Sequence, residues 1–197
     1  MTRKQAIEII KRTHYGGTVP VDASHTDREV NLMLNMGISV VAIRAYRENI
    51  NINNEDVIND AFYVTLSNLI VDANGEIETS YTPIGVSIGI ALSNLIVAGL
   101  EKQPIPLAAK EVFLWNELSN EKGRAAYYIN GSKIKFLSKV PMVGKSVSVR
   151  VAGVPDTNNL EDELSVPSEQ LSSAIEYVVA LLDKRRQEDF TSRTGKE

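Results

Sequence analysis

The residues that could carry chemistry in this chain are few, and their types exclude several kinds of site. The 197 residues include two histidines, His14 and His25, and no cysteine. A chain without cysteine has no disulfide, no thiolate metal ligand and no thiol nucleophile. Two isolated histidines without a His-x-x-x-His spacing make a poor metal site. We expect both to be cap or loop residues, and we expect no catalytic, cofactor or metal site.

The segment Gly144-Lys145-Ser146 resembles the end of a phosphate-binding loop. The first glycine of a G-x-x-x-x-G-K-S motif would fall at position 139, which is Lys139, and Pro141 lacks the N–H that such a loop uses. The sequence therefore predicts a turn that leads into a strand beginning at Ser146. In the same way, the glycosylation pattern Asn130-Gly131-Ser132 is interpreted as a hairpin turn.

Four carboxylates follow the central part of the chain, at Asp156, Glu161, Asp162 and Glu163. Carboxylate oxygens are the ligands of hard cations such as calcium, but this spacing does not match an EF-hand loop. We interpret 153–163 as a solvated acidic linker. An alternative is that Glu161, Asp162 and Glu163 meet basic groups on a neighbouring subunit.

The densest basic cluster lies near the C-terminus, where acidic residues interleave with it and nearly cancel its charge. A solvated helix end is the simpler interpretation. The sharper hypothesis makes Asp189–Glu197 a docking arm that becomes ordered on contact with another protein. The candidate contact residues, from the basic cluster and this arm together, are Lys184, Arg185, Arg186, Asp189, Phe190, Arg193 and Lys196.

Composition describes an ordinary globular chain, with 43% hydrophobic and 23% charged residues and a net charge of −4. The negative charge argues against tight binding of nucleic acid, which requires clustered cations, and is compatible with a wall along which DNA slides. No apolar signal region begins the chain, and the apolar run Ile84–Leu100 is too short and too interrupted to span a bilayer.

Helix signals occupy both ends of the chain. Thr2 and Gln5 fit a capping box ahead of a short helix that ends before Gly16, and Thr26–Glu29 repeats this pattern. Apolar residues at helical spacing predict a long helix from Asp27 to Arg47, in which Gly37 indicates a close helix–helix approach or a break. A third helix, Pro167–Arg186, has Pro167 in its first turn. Its apolar stripe consists of Leu171, Ala174, Ile175, Val178 and Leu182.

The middle of the chain is patterned as strands. Phe62–Val71 is predicted to pair with Glu76–Tyr81 across an Asn-Gly turn, and Ala125–Ile129 with Ser132–Leu137 across another. Further strands are predicted at Ser146–Ala152 and Glu111–Leu118, and no internal repeat is evident. The expected fold is α+β, with a helical bundle (1–53 and 156–190), an inserted antiparallel β sandwich or barrel (54–155) and a flexible tail (191–197).

Two stretches carry a resemblance to a known family. The lead-in EDELSVPSEQ with its proline-led helix, and the early helix His25–Ile38 (HTDREVNLMLNMGI), are similar to head–tail connector proteins of tailed bacteriophages. The likeness is to the adaptor or gatekeeper rings of short-tailed phages, of the tail-tubular-protein-A type, crAss-like phages included. It covers about the first 50 and the last 45 residues.

The resemblance implies a structural virion protein at the head–tail junction, assembled in the host cytoplasm. Such connectors form homo-oligomeric rings of about twelve copies beneath the portal, and they bind the portal protein and adjacent ring or tail proteins. Double-stranded DNA passes through the ring without specific binding, and neither a cofactor nor a membrane is involved. The central β region, which is larger than in the simplest connectors, leaves the ring layer open.

Two functions of other classes remain as alternatives. A nucleic-acid- or nucleotide-binding accessory protein would need a basic stripe, which this sequence lacks. A hydrolase with an unrecognised site would need an activity that only a substrate screen can reveal. We therefore expect a structural role rather than an enzyme.

Overall fold

The computed structural model describes residues 1–21, 23–86, 88–108, 111, 115, 125–155, 159–164 and 166–194, with only the backbone for 186–194. These residues form four α-helices and eight β-strands in two sheets. The mixed α+β class expected from the sequence is confirmed. The chain divides into two compact units, a helical unit (Met1–Arg44 with Thr157–Glu197) and a β unit (Ala45–Asp156).

Two capping boxes begin the first two helices, as the sequence predicted. Helix α1 spans Arg3–His14, where the Thr2 hydroxyl accepts from the Gln5 N–H and the Gln5 side chain accepts from the Thr2 N–H. Helix α2 spans Asp27–Glu48, and Thr26 and Glu29 exchange the same pair of hydrogen bonds. Each box satisfies N–H groups that have no partner inside the helix.

The C-terminal helix α4 spans Ser168–Thr194. Its first turn is closed by the Leu171 N–H, which donates to the Pro167 carbonyl at 2.9 Å, so Pro167 directly precedes the helix instead of lying within its first turn. The predicted apolar stripe is buried apart from Ile175, which is half-buried. The helix also continues through 191–194, which the sequence had assigned to a tail.

Gly37 marks the closest approach of α2 to α4. A Cβ atom at this position would lie 2.9 Å from the Ala174 carbonyl oxygen and 3.1 Å from the Val178 Cγ2. Only a residue without a side chain fits there, because real Cβ atoms do not come this close to a backbone oxygen. The prediction of a close helix–helix approach at Gly37 is confirmed, and no break occurs in α2.

Strand β8, Ser146–Pro155, is the centre of the first sheet. It pairs antiparallel with β1 (Tyr63–Ile70), with β4 (Leu92–Val97) and, near its end, with β3 (Tyr81–Pro83). Alternation explains its position, since Val147, Val149 and Val151 are all fully buried on one face. The strand predicted at Ser146–Ala152 is confirmed, and it runs three residues further.

The same six residues occur in β4 and in β1 with the residue that follows it, a repeat that the sequence reading missed. Leu66–Val71 and Leu92–Val97 both read LSNLIV, and both pair with β8. Leu66 lies opposite Val149 and Leu92 opposite Val151, so the two copies are displaced by two residues along β8. A displacement of two keeps every side chain on the same face of the sheet.

Each copy of the repeat bulges at its asparagine. Asn68 and Asn94 have φ angles of 59° and 49°, and the strand register shifts around each of them. Asparagine tolerates this left-handed conformation better than most residues with a side chain. After the bulge, Ile70 and Ile96 both face solvent, 59% and 55% exposed. Identical sequence thus gives identical local geometry on two strands of one sheet.

The second sheet contains β2 (Glu76–Glu78), β7 (Lys133–Ser138), β6 (Ala125–Asn130) and β5 (Ile105–Pro106), in that order. Strands β6 and β7 form the predicted hairpin, with Gly131 at φ 63° in its turn. Strand β5 pairs parallel with β6, with Ile105 opposite Ala126 and Pro106 opposite Tyr127. The two sheets share a hydrophobic core that includes Ile77, Tyr127 and Phe136 from the second sheet and Val149 from the first.

The prediction of a hairpin between Phe62–Val71 and Glu76–Tyr81 is wrong. The Asn74-Gly75 turn forms, closed by the Asp72 N–H donating to the Glu76 carbonyl at 2.8 Å, but the flanking strands then diverge. Strand β1 pairs with β8 of the first sheet, whereas β2 pairs with β7 of the second. The turn chemistry is local, but the pairing of each strand is decided by which partner buries its apolar face. Of the strand predicted at Glu111–Leu118, the structure describes only Glu111 and Trp115. The Trp115 N–H donates to the Glu111 carbonyl at 3.0 Å, which is a helical hydrogen bond, so the strand prediction is wrong at these residues.

Candidate functional site

The start of α1 binds the acidic linker that precedes α4. The Arg3 and Lys4 N–H groups donate to the carbonyls of Asp162 and Leu160 at 3.0 and 2.8 Å, and the Leu164 N–H donates to the Met1 carbonyl at 3.0 Å. The Arg3 and Lys4 N–H groups lie in the first turn of α1, where no intrahelical partner exists. Helix α1 has no acidic residue in its own first turn. The linker therefore brings acidic residues to the positive end of this helix.

Two of the carboxylates that the sequence singled out, Glu161 and Asp162, bind groups within the chain. Glu161 accepts from the Lys4 ammonium at 3.1 Å, with both side chains about two-thirds exposed, and Asp162 accepts from the Asn159 amide at 2.6 Å. Glu163 is exposed, next to its backbone bridge with Thr2. A contact with a neighbouring subunit remains a prediction for these three residues. No group of three potential metal ligands is found among the described residues, which do not include Asp156.

The basic residues of the predicted docking arm lie on α4. Lys184 and Arg185 are exposed, and Arg186, Asp189, Phe190 and Arg193 lie further along the same helix, where side chains are not described. Lys196 lies outside the described residues. The role of these residues in contacting a partner stays a prediction.

Both histidines of the chain belong to one cluster in the helical unit, which the sequence reading had treated as two isolated residues. His14, at the end of α1, has only 2% of its side chain exposed, and its Nδ1 lies 2.7 Å from the Asp183 Oδ1 on α4. The His25 ring, just before α2, lies 5.7 Å from the His14 ring, centroid to centroid. The cluster therefore connects three segments of the helical unit.

The surroundings of His25 disfavour its charged form. Partial burial lowers the pKa of His25, and the neighbouring His14, Arg185 and Lys11 lower it further, while Glu29 acts in the opposite direction. Lys11 itself forms an ion pair with Asp27 at 2.5 Å. A positive charge on His25 would lie near the charges of Lys11 and Arg185 and would be poorly compensated. We therefore expect protonation of His25 to destabilise the folded chain; no set of three metal ligands is found among the residues that the structure describes.

A fully buried arginine lies at the other end of α1. The Arg3 side chain is 0% exposed, and its Nη1 donates to the Asn31 and Asn35 amide oxygens of α2, both at 2.7 Å. Nothing in the sequence pattern distinguished Arg3 from an exposed basic residue near a helix start. Its contacts are with another helix and indicate a role in joining α1 to α2.

The outer face of α2 carries exposed apolar side chains. Leu32 and Met36 are 64% and 52% exposed, and they lie one helical turn apart with Arg28 one turn before them. Residues four positions apart share a face of a helix, so the three side chains form one line. We name Arg28, Leu32 and Met36 the α2 ridge. Exposed apolar residues in a row are typical of a surface that another protein covers.

A groove of about 290 Å³ lies between α1 and α4. We name it the α1–α4 groove; its lining residues are Thr13, Ile175, Glu176, Val179, Ala180 and Asp183. Its floor is apolar, because Ile175 and Val179 lie one turn apart and are half-buried. Carboxylates lie at its edge. The described part of the helical unit therefore presents two different apolar surfaces, a ridge and a groove.

The suspected phosphate loop is a turn, as predicted. The Gly144 N–H donates to the Val71 carbonyl at 2.9 Å, and the Lys145 N–H donates to the Met142 carbonyl at 3.1 Å. Gly144 has a φ of 78°, which favours glycine. Backbone N–H groups committed to carbonyls in this way are not free to bind a phosphate.

One motif was overlooked in the sequence, the segment Gly85–Gly89, GVSIG, which has the G-x-S-x-G pattern of hydrolase nucleophile elbows. Such an elbow joins a strand to a helix at the end of an α/β-hydrolase sheet. Here the preceding strand β3 pairs antiparallel with β8, and the helix that follows, α3 (Ile88–Ala91), has four residues. Ser87 itself lies outside the described residues. The surrounding architecture does not match the one in which this motif acts.

Comparison of the chain with known proteins gives no assignment. No protein-family model matches the sequence, and no significant match is found among curated proteins. Among the helices that the structure describes, none has the length and apolar character needed to cross a membrane.

Proposed function

We propose that this protein is a ring-forming subunit of a phage head–tail connector, located beneath the portal and surrounding the path of the DNA. In this proposal the helical unit is a bundle that forms the ring wall, and the β unit is an inserted sandwich that faces the next component. The proposal originates in the resemblance of the two chain ends to adaptor and gatekeeper proteins.

The observation that carries the proposal is the contact at Gly37. The two segments that bear the resemblance, His25–Ile38 and the helix after Pro167, are more than 120 positions apart in sequence. They pack together so closely that Gly37 leaves no space for a Cβ beside Ala174. The two segments that carry the resemblance therefore belong to one helical body, and in this proposal that body forms the ring wall.

The surface of the helical unit supports the same function. A closed ring uses heterologous contacts, in which one face of a subunit binds a different face of the next. The α2 ridge and the α1–α4 groove are two such faces, because they are formed by different helices.

The test is the assembly state of the purified protein, alone and mixed with a candidate portal protein. Light scattering gives the mass and negative-stain images give the shape. We expect a ring with a central hole, either alone or on the portal, because connector subunits often need a template. A chain that stays monomeric with every portal tested, at concentrations of tens of micromolar that are ample for specific assemblies, contradicts the proposal.

The salt dependence of DNA binding distinguishes the main alternative. A nucleic-acid-binding accessory protein would bind duplex DNA at low salt and lose affinity steeply as salt rises. We expect the connector subunit to show no measurable binding to short duplexes, because it needs only to surround DNA. Tight, salt-sensitive binding by the monomer would favour the accessory protein.

A further inference from the structure

The side chains of the α2 ridge and of α4 in the α1–α4 groove are complementary when the two helices are placed antiparallel. Along α2, Arg28, Leu32 and Met36 follow one another at intervals of four residues, a cation and then two apolar groups. Along α4, Ile175, Val179 and Asp183 follow at the same interval, two apolar groups and then a carboxylate. Steps of four residues advance by about 6 Å in either helix, so the two series have the same spacing.

We propose that the α2 ridge of one copy of this chain docks antiparallel in the α1–α4 groove of the next copy. Arg28 then faces Asp183, Leu32 faces Val179, and Met36 faces Ile175. This inference rests on the proposed function, since it assigns the two faces of the ring contact. The partner in the groove is a second copy of this chain, because the same sequence supplies both the cation, Arg28, and the carboxylate, Asp183.

Charge supports the direction of docking. Among the ion pairs of the described residues, none involves Arg28 or Glu176, so both charges are available to a partner. Asp183 already binds His14, but its side chain is 52% exposed and a carboxylate has further acceptor positions. A parallel arrangement would instead bring Met36 beside Asp183 and leave its carboxylate against an apolar side chain.

Burial supports the apolar part of the contact. Leu32 and Met36 are more than half exposed, and the groove is shaped by half-buried Ile175 and Val179. Anchors at i and i+4 of a helix that enter an apolar groove are a recurrent mode of recognition. A single helix pair of this kind is weak by itself, and closure of a ring makes it cooperative.

The absence of cysteine makes a disulfide test direct, because any introduced thiol is the only one in the chain. The antiparallel register places Ser39 opposite Ser172, since each lies a further three residues along its helix. Both serine side chains bond a backbone carbonyl of their own helix, and serine to cysteine is a nearly isosteric change. We therefore mix Ser39→Cys protein with Ser172→Cys protein, distinguished by a size tag, under mild oxidation.

The matched control replaces the second partner with Lys184→Cys, an exposed position twelve residues away along the same helix that does not line the groove. Disulfides form only when the Cα atoms approach within about 7 Å, whereas twelve residues shift the thiol by about 18 Å. We expect the Ser39→Cys and Ser172→Cys mixture to give at least about tenfold more mixed dimer than the control mixture. Adding Leu32→Glu to the Ser39→Cys chain should abolish the excess, because a charge at this exposed position spoils the contact and spares the fold.

Equal yields in the two mixtures, or a yield that Leu32→Glu leaves unchanged, would overturn the antiparallel contact. The result is separable from the proposed function. Rings that form without the cross-link would support the connector function and contradict this contact. The cross-link without rings or portal binding would support the contact and contradict the connector function.

Discussion

The His14 Nδ1 lies 2.7 Å from the Asp183 Oδ1, although 169 positions separate the two residues in sequence. The imidazole is almost fully buried, while the carboxylate is half-exposed and belongs to the edge of the α1–α4 groove. This contact joins the first helix to the last. It also places the histidine cluster next to the surface that we propose for assembly.

Removing the carboxylate tests how much this contact stabilises the helical unit. Asp183→Ala leaves a buried ring nitrogen without its partner, and we expect the free energy of unfolding to fall by about 1–3 kcal/mol. Urea denaturation of the dilute protein at pH 7 measures this change. Glu176→Ala is the control, because Glu176 lies two turns earlier on the same helix, is exposed and forms no ion pair among the described residues. Equal effects of the two substitutions would mean that the contact adds nothing.

The pKa of His25 predicts how stability depends on pH. Since the pKa is lowered from 6.5 in the folded state, the unfolded chain binds the proton more readily. Stability is then complete above about pH 6.5, falls as the pH drops below that value, and stops falling below the lowered pKa. We expect His25→Gln to reduce the loss of stability between pH 7 and 5, measured by urea denaturation at a series of pH values.

Asp72→Asn is the control for this pH series. Hydrogen bonds from the Glu76 and Asn74 N–H groups lower the pKa of Asp72 from 3.8, so its contribution is present above about pH 3.8 and is lost only below it. Its substitution should therefore leave the difference between pH 7 and 5 unchanged. If the free energy of unfolding falls equally in His25→Gln and in the wild type between pH 7 and 5, His25 does not cause that fall.

Gly37→Ala sets helix propensity against packing. Alanine favours a helix by about 1 kcal/mol over glycine, but its Cβ would lie 2.9 Å from the Ala174 carbonyl oxygen. Since that oxygen belongs to the backbone of α4, the helices must separate, and we expect a net loss of about 1–3 kcal/mol in thermal or urea unfolding. At the helical Gly89, the nearest atom to an added Cβ is 3.8 Å away. Gly89→Ala should therefore be neutral or slightly stabilising, and a stabilising Gly37→Ala would contradict the close approach.

Arg3→Ala tests the buried arginine. The substitution removes two hydrogen bonds at 2.7 Å to Asn31 and Asn35 and leaves a cavity, so we expect a loss of about 2–4 kcal/mol. The adjacent Lys4→Ala removes only an exposed ion pair with Glu161 and should cost less than about 1 kcal/mol. Unfolding curves of the two variants measured side by side give the comparison. A small effect of Arg3→Ala would show that Asn31 and Asn35 find other partners.

Local signals in the sequence predicted local structure well. The capping boxes at Thr2 and Thr26, the Asn130-Gly131 hairpin and the alternating strand at Ser146 all formed as predicted. In each case the energy depends on residues within a few positions of one another, such as a side chain that satisfies a nearby N–H group. Gly37 could be interpreted for a similar reason, because glycine in a helix is costly unless something needs its space.

The LSNLIV repeat is visible in the sequence alone, but the sequence analysis missed it. The two LSNLIV segments are identical, and the structure shows that both pair with β8 and bulge at an asparagine with a positive φ angle. The GVSIG segment is the opposite case, a recognisable motif in an antiparallel context that does not fit its usual role. A motif carries meaning only when the elements around it hold its side chains in the required geometry.

The amino-acid sequence by itself determined where most helices and turns begin and which faces of them are apolar, because these depend on neighbours along the chain. The tertiary structure alone decided that β1 leaves its hairpin partner for β8, that Arg3 is buried against α2, and that His14 meets Asp183. Such contacts join residues far apart in sequence, and their energy comes from burial and desolvation that exist only once the chain has packed.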